Sequence, residues 1–198
     1  MFRKEIYALK KLQGCNNIVS YYGYSVYEEK CMVVMELAEN GNLMDYLSDS
    51  DNHLDDQVKE MIIQEVAYGL SFIHQLGVVH RDLKSNNILL DGTMHPKIAD
   101  FGLGSVPNGA VRWRAPEVLN DFNQYTAKSD VFSYGVIVWE ILHRRLPSET
   151  ESDDAVRYKV IDGMQESIQV QFKKYHTMIE ACWKQNPDER PEIDNVIE

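Results

Sequence analysis

Residues 80–87 have the sequence His-Arg-Asp-Leu-Lys-Ser-Asn-Asn, in which two cations flank an aspartate and two amides follow. Two further clusters lie downstream, Asp-Phe-Gly at residues 100–102 and Ala-Pro-Glu at residues 115–117. The apolar runs at residues 88–90 and 97–99 separate the first two clusters and are short enough to be strands. Because functional residues concentrate in loops on a rigid scaffold, we expect the chemistry of this protein to lie here.

Upstream of this stretch, apolar spacing predicts small elements followed by one long helix. Residues 2–13 fit a short amphipathic helix. Residues 17–22 and 31–37 fit two strands, and the polar residues 27–30 between them fit a turn. Apolar positions over residues 58–73 recur at helical spacing, which predicts a long helix that Gly77 closes.

Downstream of the three clusters, the chain is predicted to be mainly helical. Residues 131–142 are apolar nearly all round, so we expect a helix buried in the middle of the core. Another helix is predicted through residues 172–183, with a stop at residues 186–187, Asn-Pro. The sequence therefore predicts an α+β fold, with a small strand-and-helix unit in front of a mainly helical body.

Composition excludes several classes of function. The chain has 198 residues, 44% hydrophobic and 26% charged, as expected for a globular domain with its own core. A net charge of −11 would repel nucleic-acid phosphates and anionic lipids, so no nucleic acid is expected as a partner. No apolar run approaches the ~18–20 residues of a membrane span, so no direct membrane insertion is expected. Three widely spaced cysteines favour reduced, small core residues in a cytoplasmic protein.

Each polar cluster taken alone is more often a turn or a solvated loop. Together and in this order, the three clusters resemble the signature set of eukaryotic protein kinases. The resemblance covers the whole chain, since Glu5 is similar to the glutamate of kinase helix C and Arg190 lies in a stretch similar to the family's C-terminal motif. It implies a protein-kinase-like fold, with a partial small lobe at residues 1–38 and the large lobe at residues 39–198.

The resemblance starts at helix C and stops within the last helix of the family. The Gly-rich loop over the nucleotide phosphates and the strand lysine that would pair with Glu5 have no counterpart ahead of it. We therefore expect a fragment or an incomplete version of a kinase domain, since an intact small lobe needs more strands to shield its sheet.

In protein kinases these residue types position the substrates and neutralise charge during phosphoryl transfer. By resemblance, Asp82 accepts the proton of the substrate hydroxyl, and Lys84 places a cation beside the transferring phosphoryl group. Asn87 completes the catalytic set, and Asn87 and Asp100 are the oxygen ligands expected for Mg²⁺. The implied cofactors are ATP and Mg²⁺, and the implied partners are protein substrates and regulatory proteins.

The resemblance also implies residues that hold these loops in place. Asp130, near the start of the buried helix, is expected to bond the backbone of the loop that contains residues 80–81. Glu117 and Arg190 are expected to form a buried ion pair, and loss of one partner should cost roughly 3–5 kcal/mol. Supporting roles in the loops themselves are expected for His80, Arg81, Phe101 and Gly102.

By resemblance, residues 35–38 form the hinge that contacts the nucleotide base. The residues expected around the nucleotide are Met35 as gatekeeper, Glu36 and Ala38 through their backbone, Leu89 under the ring, Asn42 or Asp45 at the ribose, and Asp100. Core packing alone would also explain Met35 and Leu89.

Several features bear on the substrate. Lys84 is typical of serine/threonine kinases, whereas Trp113 and the pair at residues 182–183, Cys-Trp, are shared with tyrosine kinases. This mixture resembles the tyrosine-kinase-like group, which includes Raf and mixed-lineage kinases, so serine and threonine are the expected acceptors. Residues 109–113, here called the docking segment, resemble the region that binds the substrate chain. Eight acids against one lysine over residues 36–60 indicate a solvated face, or a preference for basic residues in substrates.

The favoured function is an ATP- and Mg²⁺-dependent protein kinase of intracellular signalling, because Asp82, Asn87 and Asp100 are all present. The alternative is a pseudokinase or truncated kinase fragment that serves as a protein-binding scaffold. Ala110 favours this alternative, since serine/threonine kinases usually carry a hydroxyl residue at that position. A helical domain unrelated to kinases would leave the three clusters unexplained.

Overall fold

The computed structural model describes residue 6 and residues 9–28, 30–101 and 110–197. The helices in these ranges are α1 (Leu43–Ser48), α2 (Asp56–Gln75), α3 (Pro116–Asn120), α4 (Ala127–His143), α5 (Asp153–Ile161), α6 (Lys173–Cys182) and α7 (Asp194–Ile197). Single 3₁₀ turns cover Ser85–Asn87, Val111–Trp113, Phe122–Gln124, Val170–Phe172 and Pro187–Glu189. Residues 9–11 are helical as well, within the helix predicted over residues 2–13.

Two small antiparallel hairpins supply the strands. β1 (Tyr21–Tyr27) pairs with β2 (Lys30–Met35), and β3 (Ile88–Leu90) pairs with β4 (Pro96–Ile98). A parallel bridge between Ile18 and Ile98 joins the segment before β1 to β4. The fold is therefore mixed α+β and mainly helical, with small sheets.

Helix α4 lies at the centre of the core, as its nearly uniform apolar sequence predicts. Every residue from Ser129 to Leu142 is buried. The Tyr134 hydroxyl donates to the Ile63 carbonyl of α2 at 3.1 Å, which ties the two longest helices together. Where α4 contacts α6, a Cβ added at Gly135 would lie 2.7 Å from the Cβ of Cys182. This close approach of the two helices therefore requires glycine.

The predicted bounds of the first hairpin were wrong. Of the predicted strand residues 17–22, only Tyr21 and Tyr22 lie in β1, which runs on to Tyr27 and ends at the expected turn of residues 27–30. Tyr27 pairs directly with Lys30, so the connection is two residues long, and Glu28 adopts a left-handed φ of 46° that suits such a turn. The antiparallel ladder continues here because backbone hydrogen bonds do not require apolar side chains.

Two helical features also differ from the prediction. Helix α4 begins at Ala127 rather than Val131, because Ser129 Oγ accepts a hydrogen bond from the Thr126 N–H and closes the first turn. Helix α5 was not predicted from the sequence, since Val156 is its one buried residue and it has little apolar periodicity.

The cysteines are free thiols in different environments: Cys182 is buried, Cys15 is half-buried and Cys31 is exposed on β2. The expectation of a core position is therefore wrong for Cys31, which lies on the sparsely covered first hairpin. Within the described ranges, no helix is both long and apolar enough to cross a membrane.

Candidate active site

The loop of residues 80–87, called the catalytic loop below, is held by a buried carboxylate of α4. Asp130 Oδ2 accepts the backbone N–H of His80 at 2.8 Å, and Asp130 Oδ1 accepts that of Arg81 at 3.1 Å. His74 Nε2 lies 3.0 Å from Asp130 Oδ2. This contact of Asp130 with the loop backbone is the one the sequence predicted. Arg81 has a left-handed φ of 70°, so these bonds hold the loop in a conformation that costs free energy.

Asp82 carries both occupied and open hydrogen-bonding positions. Its Oδ2 accepts from Lys84 Nζ at 2.8 Å and from Asn87 Nδ2 at 3.1 Å. Asn87 Nδ2 also donates to the Asp82 carbonyl at 2.8 Å, which fixes the loop as one turn. Asp82 Oδ1 is buried and takes no hydrogen bond within the described part of the chain. A buried acceptor without a partner is costly, so this atom is suited to receive a donor from a bound molecule.

His80 connects the catalytic loop to the end of β4. Its Nε2 lies 2.9 Å from the Ala99 carbonyl, and its Nδ1 accepts the Asp82 N–H at 3.3 Å. Burial lowers the pKa of His80, although the nearby acids and the Ala99 carbonyl oppose this, so the ring is neutral. The Phe101 ring packs on it at 4.9 Å between centroids. The sequence predicted a supporting role for His80, and both of its ring nitrogens have polar neighbours as well as the Phe101 ring beside them.

Asp100 lies two residues after the end of β4 and is exposed. The Ala99 N–H donates to the Asn87 carbonyl at 2.8 Å, so the backbone places Asp100 beside the end of the catalytic loop. Asp100 has a left-handed φ of 55°, which marks a constrained turn. Gly102, and Glu5 of the predicted helix-C position, lie outside the described residues.

The donor set of this region fits Mg²⁺. Among the residues that the structure describes, no three or more His, Cys, Asp or Glu side chains gather as a metal site. Mg²⁺ nevertheless needs few protein ligands, because it keeps water and phosphate oxygens. Asp82 uses Asn87 Nδ2, which leaves the Asn87 amide oxygen, and this oxygen and the Asp100 carboxylate are ligands of the required kind.

Glu117 and Arg190 form the ion pair predicted from the sequence. Arg190 Nη1 and Nη2 donate to the two Glu117 carboxylate oxygens, each at 2.8 Å. The Arg190 guanidinium also bonds the carbonyls of Lys184, Gln185 and Lys128, and its side chain is fully buried. Burial opposes ionisation of Glu117, but the hydrogen bonds and charge of Arg190 outweigh it and lower the Glu117 pKa. The pair joins α3 to the segment that follows the 3₁₀ turn Pro187–Glu189.

The hinge residues 35–38 are shaped by contacts of Glu36. Its N–H donates to the Ser20 carbonyl at 2.9 Å, so only its carbonyl remains for pairing with a base. Its side chain accepts from Ser20 Oγ at 2.5 Å and lies 3.4 Å from Lys97 Nζ. The Ala38 carbonyl accepts the Gly41 N–H at 3.2 Å, so the Ala38 N–H is the group of this residue that remains to pair with a base. Met35 and Leu89 are half-buried, at the end of β2 and in the middle of β3.

The two ribose candidates have different surroundings. Asn42 caps α1: its Oδ1 accepts the Asp45 N–H at 3.0 Å, and its Nδ2 donates to Asp45 Oδ2 at 2.7 Å. Because the cap uses both polar atoms of the Asn42 side chain, the exposed Asp45 carboxylate is the better candidate for a ribose contact.

With this geometry in view, comparison with known proteins identifies the family. A family model described as "Protein tyrosine and serine/threonine kinase" matches residues 1–198. The chain belongs to this family. The resemblance predicted from the three clusters is thus confirmed.

Three curated relatives of this kinase domain are 29–30% identical to it. It is 30% identical to the serine/threonine-protein kinase STY17 of Arabidopsis thaliana over 100% of this chain and 36% of the relative. It is 30% identical to the serine/threonine/tyrosine-protein kinase HT1 of the same plant over 99% of this chain and 53% of HT1. The dual specificity protein kinase shkC of Dictyostelium discoideum is 29% identical over 99% of this chain and 42% of its own length. The chain thus spans between a third and about half of these relatives.

The sequence interpretation of this kinase domain missed Glu140 of α4. Its side chain is buried and accepts hydrogen bonds from Ser85 Oγ at 3.0 Å and Trp113 Nε1 at 2.7 Å. Burial raises the pKa of Glu140 to about 8, although both hydrogen bonds lower it. A single acid within the apolar run of residues 131–142 was the signal that could have found it.

Proposed function

We propose that this kinase domain transfers the γ-phosphoryl group of ATP to serine and threonine hydroxyls of protein substrates. The observation that carries the proposal is Asp82 Oδ1, a buried acceptor without a partner, next to an Oδ2 that Lys84 and Asn87 already occupy. Binding of a substrate hydroxyl requires an open acceptor of this kind.

In the proposed reaction, the substrate hydroxyl donates to Asp82 Oδ1 and passes its proton to this carboxylate. The hydroxyl oxygen bonds to the γ-phosphorus, the bond from that phosphorus to the β,γ-bridging oxygen breaks, and ADP leaves with the electron pair. Lys84 Nζ, 2.8 Å from Asp82 Oδ2, adds positive charge beside the transferring group.

The nucleotide would lie between the hinge and the two loops. The Glu36 carbonyl and the Ala38 N–H would pair with adenine, Leu89 and Met35 would contact the ring, and Asp45 would reach the ribose. Asn87 and Asp100 would hold Mg²⁺, which when bound neutralises charge on the nucleotide phosphates.

The remaining assignments follow the same proposal. Residues 1–38 correspond to part of the small lobe and residues 39–198 to the large lobe. Residues 110–113 of the docking segment would bind the substrate chain, and the acids of residues 36–60 would favour basic substrates. A cytoplasmic role in signalling and regulatory protein partners are proposed with it.

The test is phosphotransfer from radiolabelled ATP by the full-length protein, with Asp82→Asn as the variant. The Asn variant keeps the size of the side chain but cannot take a proton, so transfer should fall at least ~10³-fold while thermal unfolding stays unchanged. Asp162→Asn, at the exposed end of α5, is the matched control and should retain full activity.

Phosphoamino-acid analysis of the product completes the test. Phosphoserine and phosphothreonine support the proposal, whereas phosphotyrosine alone would overturn the acceptor assignment. No transfer by the unsubstituted protein would favour the scaffold function, which the small, buried Ala110 already suggests.

A further inference from the structure

Arg144 follows helix α4 directly, in a backbone conformation that glycine normally supplies. Its φ is 50° and its ψ is 42°, in the left-handed region, and its N–H donates to the Glu140 carbonyl at 2.7 Å. A residue with a Cβ is disfavoured in this region, and helices commonly end on glycine at such a position. The side chain of Arg144 is therefore expected to make contacts that offset this cost.

The Arg144 guanidinium binds the end of another helix, α1. Nη2 donates to the carbonyls of Leu47 at 3.3 Å and Asp49 at 2.9 Å, and Nη1 donates to that of Asn52 at 2.8 Å. Nε lies 3.4 Å from the Leu47 carbonyl. The last carbonyls of a helix have no partner within it, and a cation beside them also interacts favourably with the helix dipole. Arg144 thus closes the C-terminal end of α1.

Helix α1 depends on such contacts because it is short. It has six residues, Leu43–Ser48, and a helix of this length is not stable through its own backbone hydrogen bonds. Asn42 caps its N-terminus, and two leucines of α1 are buried. Arg144 supplies the C-terminal attachment from α4, the helix at the centre of the core. Helix α1 is therefore held at both ends.

Asp45 is the exposed residue of α1 that the proposed function places at the ribose. Its N–H donates to Asn42 Oδ1 at 3.0 Å, and its carbonyl accepts the Asp49 N–H at 3.2 Å. Because both bonds are part of α1 and its caps, Asp45 is fixed only as well as α1 is fixed. Within the described ranges, the Arg144 side chain donates to none of the hinge residues 35–38, where the base would bind.

We propose that Arg144 is a positioning residue that holds α1 in place, so that Asp45 meets the ribose of the bound nucleotide. The inference rests on the proposed function and adds to it a residue that acts on ribose recognition and not on recognition of the base. The catalytic loop is held separately, by Asp130, so the rate of the chemical step should not depend on Arg144.

The experiment compares adenosine with adenine as ligands of the full-length protein, by isothermal titration calorimetry. Adenine is the base alone and adenosine adds the ribose, so the ratio of their dissociation constants reports the ribose contact. The unsubstituted protein should bind adenosine more tightly than adenine. Asp45→Ala should weaken adenosine binding ~10-fold, the equivalent of one hydrogen bond to a charged group, and should leave adenine binding within ~2-fold.

Two substitutions separate the hydrogen bonds of Arg144 from its backbone conformation. Arg144→Gly removes the bonds and suits the left-handed backbone, so this variant should remain folded. Arg144→Met removes the same bonds and keeps a long side chain. Both should weaken adenosine binding ~5-fold, less than Asp45→Ala because the ribose contact is displaced and not deleted.

Kinetics and a neighbouring residue supply the controls. In both Arg144 variants the KM for ATP should rise with the loss of adenosine binding, whereas kcat and adenine binding should stay within ~2-fold. Arg145→Leu, at the next and exposed position, should leave all these values within ~2-fold.

The double variant of Arg144→Gly with Asp45→Ala tests whether the two residues act together. It should bind adenosine as weakly as Asp45→Ala alone, within ~2-fold, because Arg144 acts through Asp45. Additive losses would overturn the inference, and so would unchanged adenosine binding in Asp45→Ala.

Equal losses of adenosine and adenine binding in Arg144→Gly would show a general structural role and overturn the inference. Unchanged adenosine binding in this variant would also overturn it, while phosphotransfer by the unsubstituted protein would leave the proposed function standing. An unsubstituted protein that binds neither adenosine nor ATP would remove the proposed function, and the positioning role with it.

Discussion

Arg190 donates two hydrogen bonds of 2.8 Å to the carboxylate of Glu117, a residue 73 positions earlier in the chain. Three backbone carbonyls complete the surroundings of the guanidinium. The Ser129 hydroxyl adds a further hydrogen bond to Glu117 at 2.8 Å. All N–H groups of the guanidinium are thus hydrogen-bonded, and removal of one member of the pair is expected to lower the free energy of unfolding.

Replacement of Arg190 by leucine should destabilise the fold by roughly 3–5 kcal/mol, because Glu117 is left as a half-buried charge without its partner. Urea unfolding of the full-length protein measures the change. Arg145→Leu is the control: Arg145 is exposed beside the Trp139 ring, and its loss should cost less than about 1 kcal/mol. Equal losses in both variants would contradict this view of the pair.

The raised pKa of Glu140 predicts a pH dependence of stability with a defined sign. An ordinary glutamate in the unfolded chain titrates near pH ~4.3, whereas the folded protein holds the proton up to about pH 8. The folded state therefore binds more protons between these values, and stability falls as pH rises through this window.

Glu140→Gln has no such titration, so its stability relative to the unsubstituted protein should increase from pH 5 to pH 8. The increase should be at most about 1.4 kcal/mol per pH unit, and the difference should level off above about pH 8. Urea unfolding of both proteins across this range tests it. A difference that is constant from pH 5 to pH 8 would mean that Glu140 is ionised throughout.

Asp130→Asn should loosen the catalytic loop. Asp130 accepts the N–H groups of His80 and Arg81 with different oxygens, and an asparagine NH₂ group cannot accept one of these bonds. We expect a loss of about 1–3 kcal/mol in unfolding free energy, with a fall in phosphotransfer larger than that of Asp188→Asn, an exposed control. Full activity of Asp130→Asn would show that the loop holds its shape without this anchor.

Gly135→Ala tests the close approach of α4 and α6. The added Cβ would lie 2.7 Å from the Cβ of Cys182, so one helix must shift, at a cost of about 1–3 kcal/mol. Gly23→Ala is the control, since no heavy atom lies within 4 Å of the added Cβ. Thermal unfolding of both variants measures the change in stability. An unchanged midpoint for Gly135→Ala would contradict the close packing of α4 against α6.

Local sequence features were sufficient to predict the long helices and their order. Nearly uniform apolar character predicted that residues 131–142 are buried in the core, and helical spacing with Gly77 predicted α2 to within a few residues. The polar helix α5 was missed because a helix with one buried residue has little apolar periodicity; its Ser152 cap and the acids Asp153 and Asp154 in its first turn were the signals that could have found it.

Within the site, the sequence by itself supplied the residue types and their order: Asp82, Lys84 and Asn87 in one loop, and Asp100 after the next hairpin. Spacing of this kind is set by covalent connectivity and short-range backbone preferences, which the sequence records directly. It also supplied the partners of Asp130 and Arg190, through the resemblance to kinases.

Only the tertiary structure decided how individual polar atoms are used. The Asn42 cap is a local contact with Asp45, whereas packing of α4 brought Glu140 between Ser85 and Trp113, 55 and 27 residues away in the chain. It also left Asp82 Oδ1 without a partner while filling Oδ2. Which atoms meet depends on the burial of side chains distant in sequence, because desolvation forces each buried polar atom to find whatever donor the packed core places beside it.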